Sequence, residues 1–275
     1  MPWFTNRTAE RLWYEDAGNG LPVILLHGWC MSSAVWKYQY GVPELPCRLL
    51  APDLRGHGRS RGCSGDVDFN HCAADLVDLC EQLDLTGVVL VGWSMGAQVA
   101  LQAYGALEKR LAGLVLVSAT PRFTAAADFS FGLLNSEAQG MKLKVQRHLQ
   151  RALSGFHTRL FAEGELEAPL PVGEIAALLA GIPLPEMEAV LGGLDSLIAA
   201  DMRCLLGDIT VPVLIIHGDK DRICLPDASA FLNEKIHNSK RLTFAATGHV
   251  PFMTQHQQFN RELDGFIRSV CEQKS

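Results

Sequence analysis

The stretch from Val88 to Ala100 reads V-V-L-V-G-W-S-M-G-A-Q-V-A. Val88 to Val91 form an uninterrupted apolar run, rich in β-branching, of the kind used by a buried strand. Gly92-Trp93-Ser94-Met95-Gly96 ends that run, and small and apolar residues at helical spacing follow. This is G-x-S-x-G between a strand and a helix, the context in which the pattern exposes a nucleophile. The serine must sit on a turn so tight that its backbone is strained. Glycines two residues to either side let strand and helix pass without Cβ clashes. Ser94 Oγ then projects above the sheet at a helix N-terminus, where free N–H groups favour a developing oxyanion. Ser94 is therefore the candidate nucleophile.

A chain of 275 residues can bury one sizeable core, and 48% hydrophobic with 20% charged residues is ordinary for a globular protein. No apolar run has the length of a membrane span, and the N-terminal M-P-W-F-T-N-R lacks the basic and apolar regions of a secretory signal. A cytoplasmic location is expected. The eight cysteines are scattered and form no C-x-x-C, which suits a reducing compartment and small core residues. A net charge of −6 argues against nucleic acid as a partner. No H-E-x-x-H, P-loop or dinucleotide fingerprint occurs, so neither a metal nor an organic cofactor is expected. The chain is expected to act as a monomer, without a membrane partner.

Strands and helices alternate along the sequence. Candidate strands are Arg11–Glu15, Val23–Leu26, Leu49–Ala51, the run before Ser94, Leu114–Val117, Val213–Ile216 and Arg241–Phe244. Asp68 is placed to cap a helix carrying Phe69, Cys72, Leu76, Leu79 and Leu83, and a helix with Phe259, Leu263, Phe266 and Ile267 closes the chain. Apolar strands separated by helices imply a parallel sheet covered on both faces, with functional loops at the carboxyl ends of its strands.

Between Ser118 and Val211 the rhythm stops and helical patterns dominate, too long for one crossover. Residues 1–120 and 202–275 are expected to form the core domain, and residues 121–201 a helical lid inserted into it. Within the lid, Met141, Val145, Leu149, Ala152, Leu153 and Phe156 share one helical face, with Lys144, Arg147 and Arg151 opposite. From Ala138 to Ala162 there is no acid, against Lys142, Lys144, Arg147, Arg151 and Arg159. This basic stripe reads either as a solvated face or as a docking patch for an anionic partner.

A serine nucleophile needs a base, and the base needs an orienting acid. His249, in T-G-H-V-P-F after the last strand, is the candidate base, and H-G-D-K-D after Val213–Ile216 offers Asp219 and Asp221 as the acid. The candidate oxyanion donors are the N–H of Met95, next to the nucleophile, and that of Trp29 in the loop after Leu26. His27, His57 and His217 sit at strand ends and are expected to bond backbone groups. His71, His148, His157, His237 and His256 lack a catalytic context.

The elbow at 92–96, the His27-Gly28 loop, Asp53…Gly56-x-Gly58-x-Ser60, Asp221 and Gly248-His249 together resemble the α/β-hydrolase superfamily over the whole chain. The resemblance implies an α/β-hydrolase fold: a mostly parallel central sheet, helices on both faces and an inserted helical lid. Its G-x-x-D pattern selects Asp221 over Asp219. Three features look like the pimeloyl-acyl-carrier-protein methyl ester esterases of biotin synthesis. They are Leu26-His27-Gly28-Trp29, the G-W-S-x-G elbow, and Leu184-Pro185-Glu186 through Gly192-Gly193-Leu194. That likeness implies a serine carboxylesterase cleaving the methyl ester of a pimeloyl chain on acidic acyl carrier protein, gripped by lid arginines.

Arg147 matches one such arginine, and Lys144 and Arg151 complete the candidate docking set. His148, Leu149, Gln150, Arg151 and Ala152 match residues of the acyl channel. Trp29, Ser94, Met95 and His249 complete the candidate substrate site. Cys30 stands where a glycine is common, and His148 where an aromatic residue is expected. A short-chain carboxylesterase or a C–C bond hydrolase would keep the triad under a different lid. A non-enzymatic binding module would be expected to lose a triad member or an oxyanion donor, and none is lost.

Overall fold

The computed structural model describes residues 2–42, 45, 47–63, 66–167 and 172–272. One sheet contains β1 (Trp3–Thr5), β2 (Arg11–Gly18), β3 (Leu21–Leu26), β4 (Cys47–Pro52), β5 (Val88–Trp93), β6 (Leu111–Val117), β7 (Val213–Gly218) and β8 (Ser239–Phe244). Their order across it is β1-β2-β4-β3-β5-β6-β7-β8. From β4 through β8 every pairing is parallel; β2 joins β4, and β1 joins β2, in the antiparallel sense.

Every strand from β2 on contains a stretch legible as a strand in the sequence, with ends that extend it by a few residues. β1 was not expected; it is three residues held by pairing Trp3 with Trp13 and Phe4 with Leu12. β5, β6 and β7 are buried at every residue, which requires cover on both faces. Part of that cover comes from α2 (Met95–Leu107), packed on β5, and α7 (His256–Glu272), packed on β6. Asp68 caps α1 (Phe69–Gln82) as expected, accepting from the His71 N–H at 2.8 Å. α7 buries Phe259, Leu263 and Ile267, while Phe266 stays half-buried. Five of the eight cysteines are buried and unbonded to one another. No helix among the described residues is long and apolar enough to cross a membrane.

Between β6 and β7 the described residues hold isolated bridges but no strand, two short 3-10 helices, and four α-helices: α3 (Asn135–Arg147), α4 (Leu149–Arg159), α5 (Val172–Gly181) and α6 (Met187–Ala199). Leu184-Pro185-Glu186 fastens this insertion to the loop after β4. The Glu186 N–H donates to Gly56 O at 2.9 Å, and its Oε1 accepts from the Gly62 N–H at 2.9 Å. Gly56 has φ +72°, and a Cβ there would overlap Ala189 of α6.

One expectation fails here. Lys144, Arg147 and Arg151 do not share a single helix, because the chain breaks at His148 (φ −154°, ψ 81°). α3 and α4 pack against each other across that break. The cations and the apolar side chains Met141, Ala152 and Phe156 therefore line one cleft instead of opposite faces. Val145 and Leu153, in contrast, are buried in the core.

Candidate active site

Four loops leave the carboxyl ends of β3, β5, β7 and β8 and carry Trp29, Ser94, Asp221 and His249. Ser94 sits between β5 and α2 at φ +55°, ψ −118°, a conformation costing on the order of 1–3 kcal/mol for a residue with a side chain. The neighbours hold it there. A Cβ on Gly92 would lie 2.5 Å from Ala97 Cα, and one on Gly96 would strike the carbonyl of Leu26. The Ser94 N–H donates to Val117 O at 2.9 Å, locking the turn to β6. Gly28 lets the loop after β3 pass close, since a Cβ there would stand 3.3 Å from Ser94 Cβ. In that loop Cys30 has φ +57°, the left-handed region, which is why glycine is common at its position.

His249 is fully buried, and its Nδ1 lies 2.7 Å from Asp221 Oδ2. Asp221 Oδ1 accepts from the N–H groups of Ile223 (2.8 Å) and Cys224 (3.1 Å). Burial by itself would raise the pKa of Asp221. The His249 charge and hydrogen bonds from His217 and His249 outweigh burial and hold the carboxyl well below the usual carboxylate range. An ionised Asp221 accepts from Nδ1, so a neutral His249 carries its one proton there and leaves the lone pair on Nε2. That Nε2 is buried and has no hydrogen-bond partner among the described residues. Asp219 does not reach His249; its carboxylate accepts from the Thr247 N–H at 3.3 Å.

Two polar residues near this pair escaped the sequence. His217, expected to bond only backbone, does reach Cys224 O at 2.9 Å, but its Nε2 also lies 3.1 Å from Asp221 Oδ2. Both partners are acceptors, so His217 Nε2 carries a proton and shares Asp221 Oδ2 with His249 Nδ1. Glu165, within the insertion, is also buried. Its Oε2 accepts from the N–H groups of Gly248 (2.8 Å) and Ala162 (2.6 Å), and its Oε1 from Thr254 Oγ1 (2.5 Å). The His249 N–H donates to Leu160 O at 2.7 Å, just beyond α4. The insertion thus grips the loop that presents His249. A lone acid 83 residues from its partner leaves no sequence signal.

A sequence profile of the alpha/beta hydrolase fold matches residues 22–255. The chain belongs to the α/β-hydrolase family. This α/β-hydrolase is 30% identical over 259 residues to a pimeloyl-[acyl-carrier protein] methyl ester esterase of Nitrosospira multiformis, covering 94% of this chain and 98% of that one. It is 32% identical over 246 residues to the protein of the same name from Nitrosomonas europaea, covering 89% and 95%. Among solved structures, an esterase from Exiguobacterium antarcticum superposes with TM-score 0.88 at 27% identity, covering 97% of this chain and 98% of that one. The chain is accordingly an α/β-hydrolase esterase, a carboxylic ester hydrolase.

In this α/β-hydrolase, Ser94 opens on a pocket of about 20 Å³ lined by Trp29, Met141, Phe156, Arg159 and Leu194 among others. The Trp29 indole donates to Val190 O of α6 at 2.9 Å and meets Phe156 edge-on, with ring centroids 5.1 Å apart. Of the residues expected to line the acyl channel, none from 148 to 152 lines this pocket. His148, Arg151 and Ala152 line the outer α3–α4 cleft, Gln150 lines a groove on the other side of α4, and Leu149 packs half-buried against the core. The α4 residues beside Ser94 are instead Phe156 and Arg159, further along the same helix.

Proposed function

We propose that this chain is a serine carboxylesterase that hydrolyses the methyl ester of a pimeloyl chain carried on acyl carrier protein, in biotin synthesis. The observation that carries the reading is the buried His249, fixed through Nδ1 by Asp221 and presenting a bare Nε2. His249 takes the proton of Ser94 Oγ as that oxygen attacks the ester carbonyl, then delivers it to the departing methoxide. Water, activated by the same nitrogen, releases the acid and frees Ser94. The first N–H groups of a helix lack intrahelical acceptors, so Met95 at the start of α2 supplies one oxyanion donor, and the Trp29 N–H supplies the other. Asp221 keeps the tautomer and offsets the imidazolium charge.

Residues 121–201 serve as the lid over this centre. Lys144, Arg147 and Arg151 are exposed, form no ion pair among the described residues and line one cleft, an arrangement that suits an acidic carrier. The names of the relatives support the same substrate. A general short-chain carboxylesterase is the second reading, favoured by the small pocket over Ser94.

Charge reversal separates the two. Arg147→Glu with Arg151→Glu is expected to lower kcat/KM for a carrier-linked pimeloyl methyl ester, relative to a free methyl ester, by at least about tenfold at low salt. The loss should shrink as salt screens the encounter. A ratio that does not move would favour the short-chain reading.

A further inference from the structure

Two open clefts flank α4, and they stand in different relations to Ser94. The cleft between α3 and α4, about 510 Å³, is lined in part by Met141, Phe156 and Arg159. The same three residues line the pocket that holds Ser94. The groove on the other side of α4, towards α5, is larger, about 870 Å³, yet shares no lining residue with that pocket among the described residues. The Ser94 pocket itself, at about 20 Å³, has room for about one water molecule. An acyl ester enters only if a wall moves, and the wall towards open space is the shared one.

Its three members differ in what fixes them. Phe156 is buried and seated against Trp29. Met141 is a flexible thioether that adapts to a neighbour. Arg159 is held by two bonds: its Nη2 donates to Glu137 Oε1 of α3 at 2.9 Å and to Arg222 O at 3.0 Å. Both side chains of the Arg159–Glu137 pair are over 40% exposed, so the pair is weak enough for an arriving ligand to open.

The geometry points to Arg159 as the gate of the acyl channel: an acyl chain reaches Ser94 from the α3–α4 cleft by displacing Arg159 from Glu137. The latch sets how large an acyl group passes. This rests on the reading of Ser94 as nucleophile. The larger groove, despite its size, is not the entrance.

The test compares kcat/KM for p-nitrophenyl octanoate and acetate in the full chain. Arg159→Ala should raise the octanoate-to-acetate ratio at least about fivefold, and Glu137→Gln, at the exposed end of the latch, about twofold. Arg159→Lys keeps a cation opposite Glu137 and should return the ratio to near the original. Gly155 lines the cleft with open space before its Cβ position, so Gly155→Trp should plug it and lower the ratio at least about tenfold. Ala176→Trp in the far groove should leave the ratio within about twofold. The proposal is overturned if Arg159→Ala and Glu137→Gln both leave the ratio in place, or if Ala176→Trp lowers it as Gly155→Trp should. Failure of the underlying reading is separate: Ser94→Ala would still hydrolyse the acetate.

Discussion

Ser94 and His249 are held by opposite means. Ser94 is strained, at φ +55°, and its strain is maintained by glycines that admit no Cβ. His249, whose φ is not positive, is enclosed, tied by its N–H to Leu160 O, by its carbonyl to the Trp93 indole at 2.8 Å, and by Nδ1 to Asp221. Only Nε2 is left unbonded among the described residues. Asp221→Asn tests whether that poise matters. An amide in place of the carboxylate can turn an N–H towards Nδ1, which moves the ring proton to Nε2 and removes the base. Turnover of a p-nitrophenyl ester is expected to fall by about 10³–10⁴-fold with little change in KM, as measured by steady-state kinetics. Asp219→Asn, which leaves the His249 bond intact, should be mild by the same assay. The reverse order of severity would mean that the wrong aspartate orients the histidine.

At the scale of elements, the loops after β3 and β4 depend on two neutral imidazoles. His27 Nε2 accepts from the Leu54 N–H at 3.0 Å, and the His27 and His57 rings lie 5.1 Å apart, both fully buried. Burial pushes the His27 pKa down to about 4. Burial, with His27 beside it, pushes His57 down to about 3. In the unfolded chain both take up protons near 6.5. Below that pH the unfolded state binds more protons, so stability is whole above about 6.5 and is lost as pH falls towards 4. At pH 5 the expected loss is of order 2 kcal/mol for each ring. Denaturant titrations at pH 7.5 and pH 5 should show it, and His57→Gln should make the loss smaller. An equal loss in that variant would place the acid sensitivity elsewhere.

The insertion marks where element-scale reading of the sequence runs out. Helical periodicity continues straight through His148, so apolar spacing gives no sign that α3 and α4 are two helices. On either side of the break, Val145 and Leu153 are both packed into the core. The consequence of the break is large, because it turns a helix with two faces into a cleft with mixed walls. With the break in place, the α4 residues that line the pocket at Ser94 are Phe156 and Arg159, while His148, Arg151 and Ala152 line the outer cleft.

Over the whole molecule, the sheet was legible because its inner strands are buried on both faces and must be apolar throughout. Ser94 and Asp221 were legible as candidates because each follows such a strand, β5 and β7, and His249 because it follows β8 at the sheet edge, in a loop at the same end of the sheet. β1 was not legible, since three residues with Trp3 and Phe4 become a strand only once β2 is there to pair with. His217 and Glu165 were hidden for a related reason: their partners are defined by the fold and not by spacing. The fold brings four strand ends, one insertion and one cationic cleft to a single place, and the central claim is that Ser94 does chemistry there.

Methanol release from a carrier-linked pimeloyl methyl ester, by the unaltered chain and by Ser94→Ala, tests that claim most directly. The unaltered chain should release one methanol per carrier and leave a free carboxylate, while folded Ser94→Ala, checked by circular dichroism, should retain less than about a thousandth of the rate. Retention of about a tenth or more by Ser94→Ala, or no methanol release by the unaltered chain, would contradict it.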